Sequence, residues 1–404
     1  MDAPTTTLPP VSNGRSPIPG LRVSILVPTF NRANYITECL DSLLAQTMPA
    51  LEIIVIDDGS EDGTAEVLKR YGQRIRYIRK DNGGKPTAVN LGLALAQGEL
   101  IWIFDDDDVA LPDAIANRVE ALQARPDAGF VYSPHFYGGD GADGKIQRGR
   151  MHQFPTHTPD SFLFELMKGC FFHLATALVR ADAYRAVGGF DTELLSSEDY
   201  DMQLRLARAY RAAYCPAPSF IFRQHSGPRG AKVIRYGGNQ RAKVFRKFDQ
   251  RVGQKLRASL PLGDYLVPRQ ANISAPSAQR QALLARMTVM ASKGCLPEMV
   301  EDLRSLLALL PPDGLPAPAE RQAIAEAICT GYASAAIEDQ WEDFKALLAE
   351  LPPSPAGRSV IRSIATGLFR LAKGYPDPIP VRWLRLKQAG LVAIYSLTLT
   401  GSNP

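Results

Sequence analysis

The sequence predicts two architectures in one chain: an α/β domain with a mostly parallel sheet, followed by an all-α region. Strand-like and helix-like segments alternate four times between residues 21 and 135, which is typical of a parallel sheet covered on both faces. After about residue 275 the pattern is helical and repeats itself with an offset of 41 residues. Residues 1–20 are rich in Pro, Thr and Ser, so we expect a disordered tail there.

The first domain is predicted element by element from hydrophobic spacing. Apolar, β-branched runs predict strands at 22–30, 51–59, 75–80 and 99–108. Helical spacing and closing glycines predict helices at 35–47, 63–72, 85–98 and 111–126. Further strands are expected at 128–133 and 171–180, and a short and a long helix within 181–210. The polar stretch 137–158 is expected to be a flexible loop on the acceptor side.

Composition and charge limit the class of protein. The chain has 404 residues and is 45% hydrophobic, enough for a sizeable core. A net charge of +4 is too small to indicate a nucleic-acid partner. No run reaches the roughly 18 apolar residues that a membrane-spanning helix needs. Five scattered cysteines without a CxxC pair indicate free thiols in a reducing compartment, so we expect a cytoplasmic protein.

Polar residues follow three of the predicted strands. The first is followed by 28–32 (PTFNR), the second by 57–60 (DDGS), and the fourth ends in Asp105 to Asp108. Ligands of open α/β sheets bind outside the carboxyl ends of the strands, so these residues should line one cleft. One aspartate per strand could cap the following helix, but capping does not explain six carboxylates at one edge.

The four consecutive aspartates indicate a cation. On an extended chain Asp105 and Asp107 point the same way, and Asp106 and Asp108 then face elsewhere. Mg²⁺ and Mn²⁺ are held by one or two carboxylates together with water and substrate phosphates. A divalent ion on a diphosphate would therefore offset the repulsion; a solvated acidic loop is the alternative.

An ordered set of motifs resembles glycosyltransferase family 2 over roughly residues 20–230. The motifs are "VSILVPTFNR", "EIIVIDDGSEDGT", "DNGGKPTAVNLGLALAQGELIWIFDDDDVALP", "ALVRADAYRAVGGFDTEL", "SSEDYDMQLRLA" and "FRQHSG". The resemblance implies a GT-A (Rossmann-like) catalytic domain over 21–250. It also implies an inverting, metal-dependent transfer of a sugar from a nucleotide-diphosphate donor, a UDP-sugar, to a hydroxyl. Bacterial surface polysaccharide or glycoconjugate synthesis is the implied setting.

The resemblance assigns roles to residues that match the family's motifs. Asp105 and Asp107 stand at the metal-binding D-x-D, with His225 completing the metal or diphosphate site; Mn²⁺ or Mg²⁺ is the implied cofactor. Asp199 is the expected catalytic base, with Glu198 beside it. The nucleotide-sugar site is expected to comprise Pro28, Thr29, Phe30, Asn31, Arg32, Asp57, Asp58, Lys85, Asp105 and Asp106. Arg229, Lys232 and Arg235 could close over the diphosphate or belong to a solvated basic helix.

The C-terminal region, 275–404, is predicted to be a small helical-repeat domain. Residues 280–294 align with 321–335, and 300–312 with 341–353, while 362–374 begins a third copy. This domain could recognise a glycan, lipid-linked or protein acceptor, bind a partner, or only stabilise the fold. The basic, apolar tail 381–401 either packs on the repeats, which we favour, or contacts an anionic membrane surface. A catalytically inactive, sugar-nucleotide-binding or helical scaffold is the alternative function.

Overall fold

A computed structural model describes residues 21–141, 144–225, 241–374 and 379–398. The expected N-terminal tail and the basic residues Arg229, Lys232 and Arg235 lie outside these residues. The strands are β1 (Val23–Thr29), β2 (Glu52–Asp57), β3 (Arg76–Arg79), β4 (Leu100–Ile103), β5 (Val109–Ala110), β6 (Ala128–Tyr132), β7 (Phe136–Asp140), β8 (Ile146–Met151), β9 (Ala177–Arg180), β10 (Arg211–Tyr214) and β11 (Phe220–Arg223).

Helices cover the sheet and form the C-terminal part of the described chain. They are α1 (Ile36–Leu44), α2 (Thr64–Lys69), α3 (Lys85–Leu95), α4 (Ala114–Gln123), α5 (Phe162–Lys168), α6 (Ala181–Val187), α7 (Glu198–Ala209), α8 (Arg241–Ser259), α9 (Pro276–Lys293), α10 (Leu296–Ala308), α11 (Pro318–Ala327), α12 (Ala333–Asp339), α13 (Trp341–Ala349), α14 (Pro355–Gly374) and α15 (Ile379–Thr398).

The main sheet has seven strands in the order β10-β6-β9-β4-β1-β2-β3. Strands β1 to β4 run parallel, as predicted, and Thr29 lies opposite Asp57, which lies opposite Arg79. β9 is antiparallel to both of its neighbours. The carboxyl ends of β1 and β2 therefore meet at one edge, as the sequence pattern required.

Two of the predicted strands are shorter than expected. The segment 99–108 is extended only as far as Ile103, and Asp106 and Asp107 form a turn. The prediction that alternation separates the aspartates was therefore wrong, because alternate orientation holds only on an extended chain. The segment 171–180 is a strand only from Ala177, after a 3-10 turn at Leu174–Thr176.

The polar stretch expected to be a flexible loop contains an antiparallel hairpin. β7 and β8 pair with each other, and β7 adds in parallel to β11, which also pairs with β5. Three of the five residues of β8 after Ile146 are Gln or Arg and its side chains are mostly exposed, so the segment lacks the alternation that marks a half-buried strand. Its structure depends on pairing with β7, which itself pairs with the buried strand β11.

Two apolar cores lie on opposite faces of the main sheet. Val23, Ile25 and Val27 of β1 face α1 and α4, whereas Leu26 faces the other side. The core on the Leu26 side continues without a break through α8 and α9 into α14 and α15. The sheet and the C-terminal helices therefore share one hydrophobic core.

The helices after residue 275 pack on one another: α9 contacts α10 and α11, and α14 contacts α11 and α15. The 41-residue offset relates α9 to α11 and α12, which are separated by a turn at Gly331, and relates α10 to α13. α15 packs on α14 through Ala389 and Val392, and its Arg385 Nε donates to Glu338 Oε1 at 2.6 Å. Within the described residues, no helix has the length and apolarity needed to cross a bilayer.

Candidate active site

A cleft of about 550 Å³ opens at the carboxyl ends of β1 and β4. Eleven of the predicted site residues line it: Pro28, Thr29, Phe30, Arg32, Asp58, Lys85, Asp105, Asp106, Asp107, Glu198 and Asp199. The structure therefore brings the aspartate turn and the Glu198–Asp199 pair to the same cavity, although they are more than ninety residues apart in sequence.

The aspartate turn holds three carboxylates in the cleft. Asp106 and Asp107 are buried, and Arg32 Nε lies 3.5 Å from Asp106 Oδ1 and 4.0 Å from Asp107 Oδ2. Burial, and next the charge of Asp107, raise the pKa of Asp106 to about 7. His225 Nε2 lies 2.8 Å from Asp107 Oδ2, so the predicted histidine does reach the predicted metal ligand. A cation here would meet carboxylate oxygens and one imidazole.

Arg223, which sequence reasoning missed, fixes this turn from β11. Its backbone N–H donates to Asp108 Oδ1 at 2.9 Å and its Nε donates to the Asp107 carbonyl at 2.8 Å. Its guanidinium also pairs with Glu38 and Asp140. Asp108 thus anchors β11 to the turn and does not cap α4. Arg223 lies within the motif "FRQHSG", in which the sequence analysis assigns a role only to the histidine.

Lys85 stands between the aspartate turn and the Glu198–Asp199 pair. Gly84 precedes it with φ 89°, a left-handed conformation that glycine adopts without steric cost, and α3 then begins at Lys85. Lys85 Nζ donates to Asp105 Oδ1 at 2.5 Å. Burial works to lower the pKa of Lys85, but the charges of Asp105, Glu198 and Asp199 outweigh burial and raise it. The lysine therefore stays cationic among these carboxylates.

Glu198 and Asp199 occupy the first turn of α7, where the helix dipole favours anions. Burial, and next the charge of Asp199, raise the pKa of Glu198 to about 7. Burial also raises the pKa of Asp199, whose Oδ1 accepts the N–H of Tyr200 at 2.8 Å. Raised pKa values suit carboxylates that accept protons near neutral pH.

Asp58 lines the cleft but shapes its own loop. Its oxygens accept hydrogen bonds from Lys80 Nζ at 2.6 Å and from the backbone N–H groups of Gly83 and Gly84 at 2.9 and 2.7 Å. The loop before α3 is therefore folded around this carboxylate. Its expected bond to a nucleoside base stays a prediction.

Three predicted residues do not line the cleft: His225, which contacts Asp107, and the two loop residues Asp57 and Asn31. Asp57 is fully buried at the end of β2, where it accepts from Ser60 N at 2.7 Å and from Tyr77 Oη at 2.8 Å. Asn31 accepts from Glu61 N at 2.8 Å through its side chain. Both side chains hold the loop after β2, so they support the cleft wall from behind.

The C-terminal helices supply part of the cleft wall, which the sequence motifs did not indicate. The lining includes Asp249 of α8, Ser292 and Lys293 of α9, and Tyr332. Asp249 Oδ1 accepts from Ser197 Oγ at 2.7 Å, and Asp249 also bonds Tyr332. Because Ser197 directly precedes Glu198, these contacts connect the helical region to the carboxylate pair.

Lys293 is a buried cation at this wall. Its Nζ lies 4.2 Å from the centre of the Tyr200 ring and donates to the Lys168 carbonyl at 3.3 Å. Burial lowers its pKa to about 8, against the charge of nearby Asp249. Tyr200 follows Asp199, so a residue of α9 contacts the segment that carries the carboxylates.

The chain is similar to known glycosyltransferases. Residues 24–188 match the family model described as "Glycosyl transferase family 2". An uncharacterized glycosyltransferase of Rickettsia felis is 33% identical over 219 residues, which cover 52% of this chain and 35% of that protein. The chondroitin synthase of Pasteurella multocida is 32% identical over 188 residues, covering 46% of this chain and 19% of that protein. The chain thus spans about a third of the first relative and a fifth of the second.

The fold also occurs in a solved structure, S. aureus TarS 1-349 in complex with UDP-GlcNAc. The two share 17% sequence identity and superpose with a TM-score of 0.52 over 80% of this chain and 92% of that one. The sheet with its C-terminal helices is thus a GT-A fold followed by a helical region. Together with the motifs at the strand ends, the family match identifies residues 24–188 of this chain as a glycosyl transferase family 2 domain.

Proposed function

We propose that the protein is a metal-dependent, inverting glycosyltransferase that moves a sugar from a UDP-sugar to a hydroxyl acceptor in bacterial polysaccharide or glycoconjugate synthesis. The observation that carries the proposal is the cleft itself: Asp105, Asp106 and Asp107 face Glu198 and Asp199 across one cavity. The related proteins named as glycosyltransferase and chondroitin synthase, and the TarS complex with UDP-GlcNAc, support this class of donor and reaction.

Mn²⁺ or Mg²⁺ fits the aspartate turn. Asp105 and Asp107 would hold the ion, and His225 Nε2 is 2.8 Å from Asp107 Oδ2. Within the described ranges, no three His, Cys, Asp or Glu side chains converge closely enough to hold a metal unaided. Such ions commonly take their remaining ligands from water and substrate phosphates. When bound, the ion would offset the negative charge that develops on the leaving diphosphate.

Asp199 is proposed as the catalytic base. It removes the proton of the acceptor hydroxyl while that oxygen bonds to the anomeric carbon, and the bond from this carbon to the diphosphate breaks. UDP leaves with the electron pair. Attack opposite the leaving group inverts the anomeric centre. Glu198 beside it and Lys85 across the cleft set the electrostatic environment in which the proton moves.

The donor wall is proposed to be the segment from Pro28 to Arg32 together with Asp58. Arg32 contacts both Asp106 and Asp107, so it links the nucleoside side of the cleft to the carboxylates. In a donor complex, its guanidinium is positioned to neutralise phosphate charge.

The acceptor and the setting belong to the same proposal. We propose a glycan, lipid-linked or protein acceptor in the cytoplasm, with a peripheral membrane contact through α15. The outward face of α15 carries four exposed apolar side chains, Leu384, Leu391, Ile394 and Leu397. Cosedimentation with phosphatidylglycerol vesicles tests this contact. The rival function, an inactive scaffold, is disfavoured because the carboxylates needed for chemistry meet in one cleft.

The first prediction concerns Asp107. We expect Asp107→Ala to weaken UDP binding in Mn²⁺ and to lower transfer at least about 10²-fold, because metal stabilisation of a leaving group is worth several kcal/mol. Isothermal titration with UDP, with and without chelator, measures the binding. A screen of nucleotide sugars for UDP release identifies the donor for the rate measurements.

Asp113→Ala is the matched control, since Asp113 lies nearby in the chain, after β5, but accepts from Thr47 Oγ1 and does not line the cleft. It should bind UDP like the wild type. Equal UDP affinity with and without chelator, in wild type and Asp107→Ala alike, would contradict the metal site.

A further inference from the structure

A second cavity, of about 620 Å³, lies between α11 and α14, in the C-terminal helices. Four arginines line it: Arg321 from α11, and Arg358, Arg362 and Arg370 from α14. The other polar lining residues are the hydroxyls of Ser359, Ser363 and Thr366, and Gln322; no carboxylate lines it. We call this cavity the arginine groove.

The arginines of α14 form a row along one face of the helix. Arg358, Arg362 and Arg370, with Thr366 between them, are spaced by multiples of four residues. Consecutive members of such a row are neighbours on the helix surface, and the row winds through about 120° from Arg358 to Arg370. Arg358 and Arg362 are like charges four residues apart, a spacing that destabilises a helix, and α14 contains no Asp or Glu to offset them. Arg358 also lies near the helix N-terminus, where the helix dipole disfavours a cation. The row thus has an electrostatic cost.

Protein carboxylates do not offset that cost. Among the described residues, none of the four arginines lies in an ion pair, whereas Arg257 and Arg286 in the same helical region both pair with Asp302. Arg321 and Arg358 each donate once, to the carbonyls of Pro316 at 2.7 Å and Pro353 at 3.0 Å.

A nearby carboxylate lies outside the lining of the groove. Glu326, on α11, accepts from Gln322 Nε2 at 2.8 Å and does not line the groove. A guanidinium has five N–H donors, so the bonds to the proline carbonyls leave most of the donor capacity of Arg321 and Arg358 for a ligand.

We propose that the arginine groove binds a chain of repeated anionic groups, phosphates or carboxylates. Arg358 and Arg370 are twelve residues apart, which corresponds to about 18 Å along the helix axis. A single small anion cannot contact a row of that length, but successive groups of a polymer can, and guanidinium pairs well with both kinds of oxyanion. The identity of the polymer rests on the proposed function: it is an anionic acceptor glycan, held in the arginine groove away from the cleft while its end reacts.

The test is direct binding of soluble polyanions to the full chain. Linear polyphosphate and polygalacturonate serve as the phosphate and carboxylate probes, and inorganic phosphate as the single-anion probe, measured by isothermal titration at low and high salt. We expect at least one polymer to bind more tightly than inorganic phosphate, and added salt to weaken that binding. The double variant Arg362→Gln, Arg370→Gln should bind that polymer at least about 10-fold more weakly, since bonds to charged groups contribute about 1.5–3 kcal/mol each.

Lys373→Gln is the matched control, because Lys373 lies on α14 outside the groove and should leave polymer binding unchanged. Both mutated arginines are exposed, so the fold should persist; if the double variant unfolds, the single Arg370→Gln replaces it. UDP affinity in Mn²⁺, measured on the same samples, should not change. A wild type that fails to bind UDP would count against the proposed function and not against the groove.

Three outcomes would overturn the proposal. One is equal polymer affinity in wild type and in the arginine variants. Another is a wild type that binds neither polymer more tightly than inorganic phosphate. The third is arginine-dependent binding to phosphatidylglycerol vesicles without binding to either soluble polymer, which would make the row a membrane contact.

Discussion

Glu198 and Asp199 place two carboxylates in consecutive positions beside the lysine that also faces the metal-side aspartates. Burial raises the pKa of both, that of Glu198 to about 7, and each negative charge disfavours ionisation of the other. A base must be ionised to accept a proton. The rate of transfer should therefore fall as the pH drops through the range in which this pair takes up protons.

The second prediction follows from this expected loss of activity at low pH. We expect the wild-type kcat to fall as the pH drops into the range in which the Asp199 carboxyl, whose pKa is raised by burial, takes up its proton. Glu198→Gln removes one negative charge, so Asp199 should lose its proton more readily and the acid limb should move to lower pH. A kcat–pH profile at saturating donor measures this shift. Glu193→Gln, an exposed change in the same segment, is the control and should leave the profile in place.

If Glu198 itself were the base, Glu198→Gln would lose about 10²–10⁴-fold in kcat at every pH instead of shifting the limb. The two outcomes are distinguishable in one data set.

The cleft residues that could be predicted from the sequence are those that belong to a recognisable motif and lie at or near the end of a strand. Arg32, Lys85, Asp106 and Asp107 all line the cleft. A strand end does not determine which way each side chain turns, however. Asp57 and Asp58 are adjacent, yet only Asp58 reaches the cavity.

At the scale of elements, the beginning of α7 depends on a contact from α8. Ser197 has φ 61°, a left-handed conformation that costs a non-glycine residue about 1–2 kcal/mol. Its Oγ donates to Asp249 Oδ1, which also bonds Tyr332. Asp249 therefore helps to hold the turn that presents Glu198 and Asp199.

The third prediction tests this contact. Asp249→Ala should lower kcat about 5- to 30-fold, the factor that 1–2 kcal/mol of lost positioning corresponds to, while UDP affinity in Mn²⁺ stays unchanged. Asp249→Asn keeps an oxygen that accepts from Ser197, so it should restore most of the rate. Steady-state kinetics with parallel UDP titrations give both quantities. Equal losses in the two variants would show that the charge of Asp249, and not its hydrogen bonds, matters.

The elements that sequence reasoning predicted well have strong local patterns. β1, β2 and α3 follow buried runs or helical spacing closely, and the structure places them near the expected bounds. The hairpin of β7 and β8 was missed because β7 pairs with β11, more than eighty residues further along the chain, and β8 in turn pairs with β7. Arg223, Asp249 and Lys293 were missed for the same reason, because their roles arise from contacts between distant segments.

At the scale of the whole molecule, catalytic and helical parts share a core and a cleft wall. The core on one face of the sheet runs from Leu26 through Phe248 and Val252 to Leu368 and Val392. A chain cut near Phe248 would divide α8 and remove Ser292, Lys293 and Tyr332 from the wall. The motifs end near residue 225. The sequence after them indicates a helical region but not that this region contributes residues to the site.

The arginine groove extends this arrangement to a second location in the helical region. It lies between α11 and α14, whereas the cleft uses α8, α9 and the turn before α12. Different helices of one region would thus support the catalytic wall and hold a polymeric substrate.

The assignment of Asp199 as the base connects these scales and has a direct measurement. We predict that Asp199→Asn lowers kcat for transfer about 10²–10⁴-fold, with little change in donor KM and with unchanged UDP affinity in Mn²⁺, because only the transition state loses an interaction. Asp201 is not an alternative base, since it pairs with Arg205 and Lys255 and does not line the cleft. Transfer at a near wild-type rate by folded Asp199→Asn that still binds UDP would contradict the assignment and move the base to Glu198.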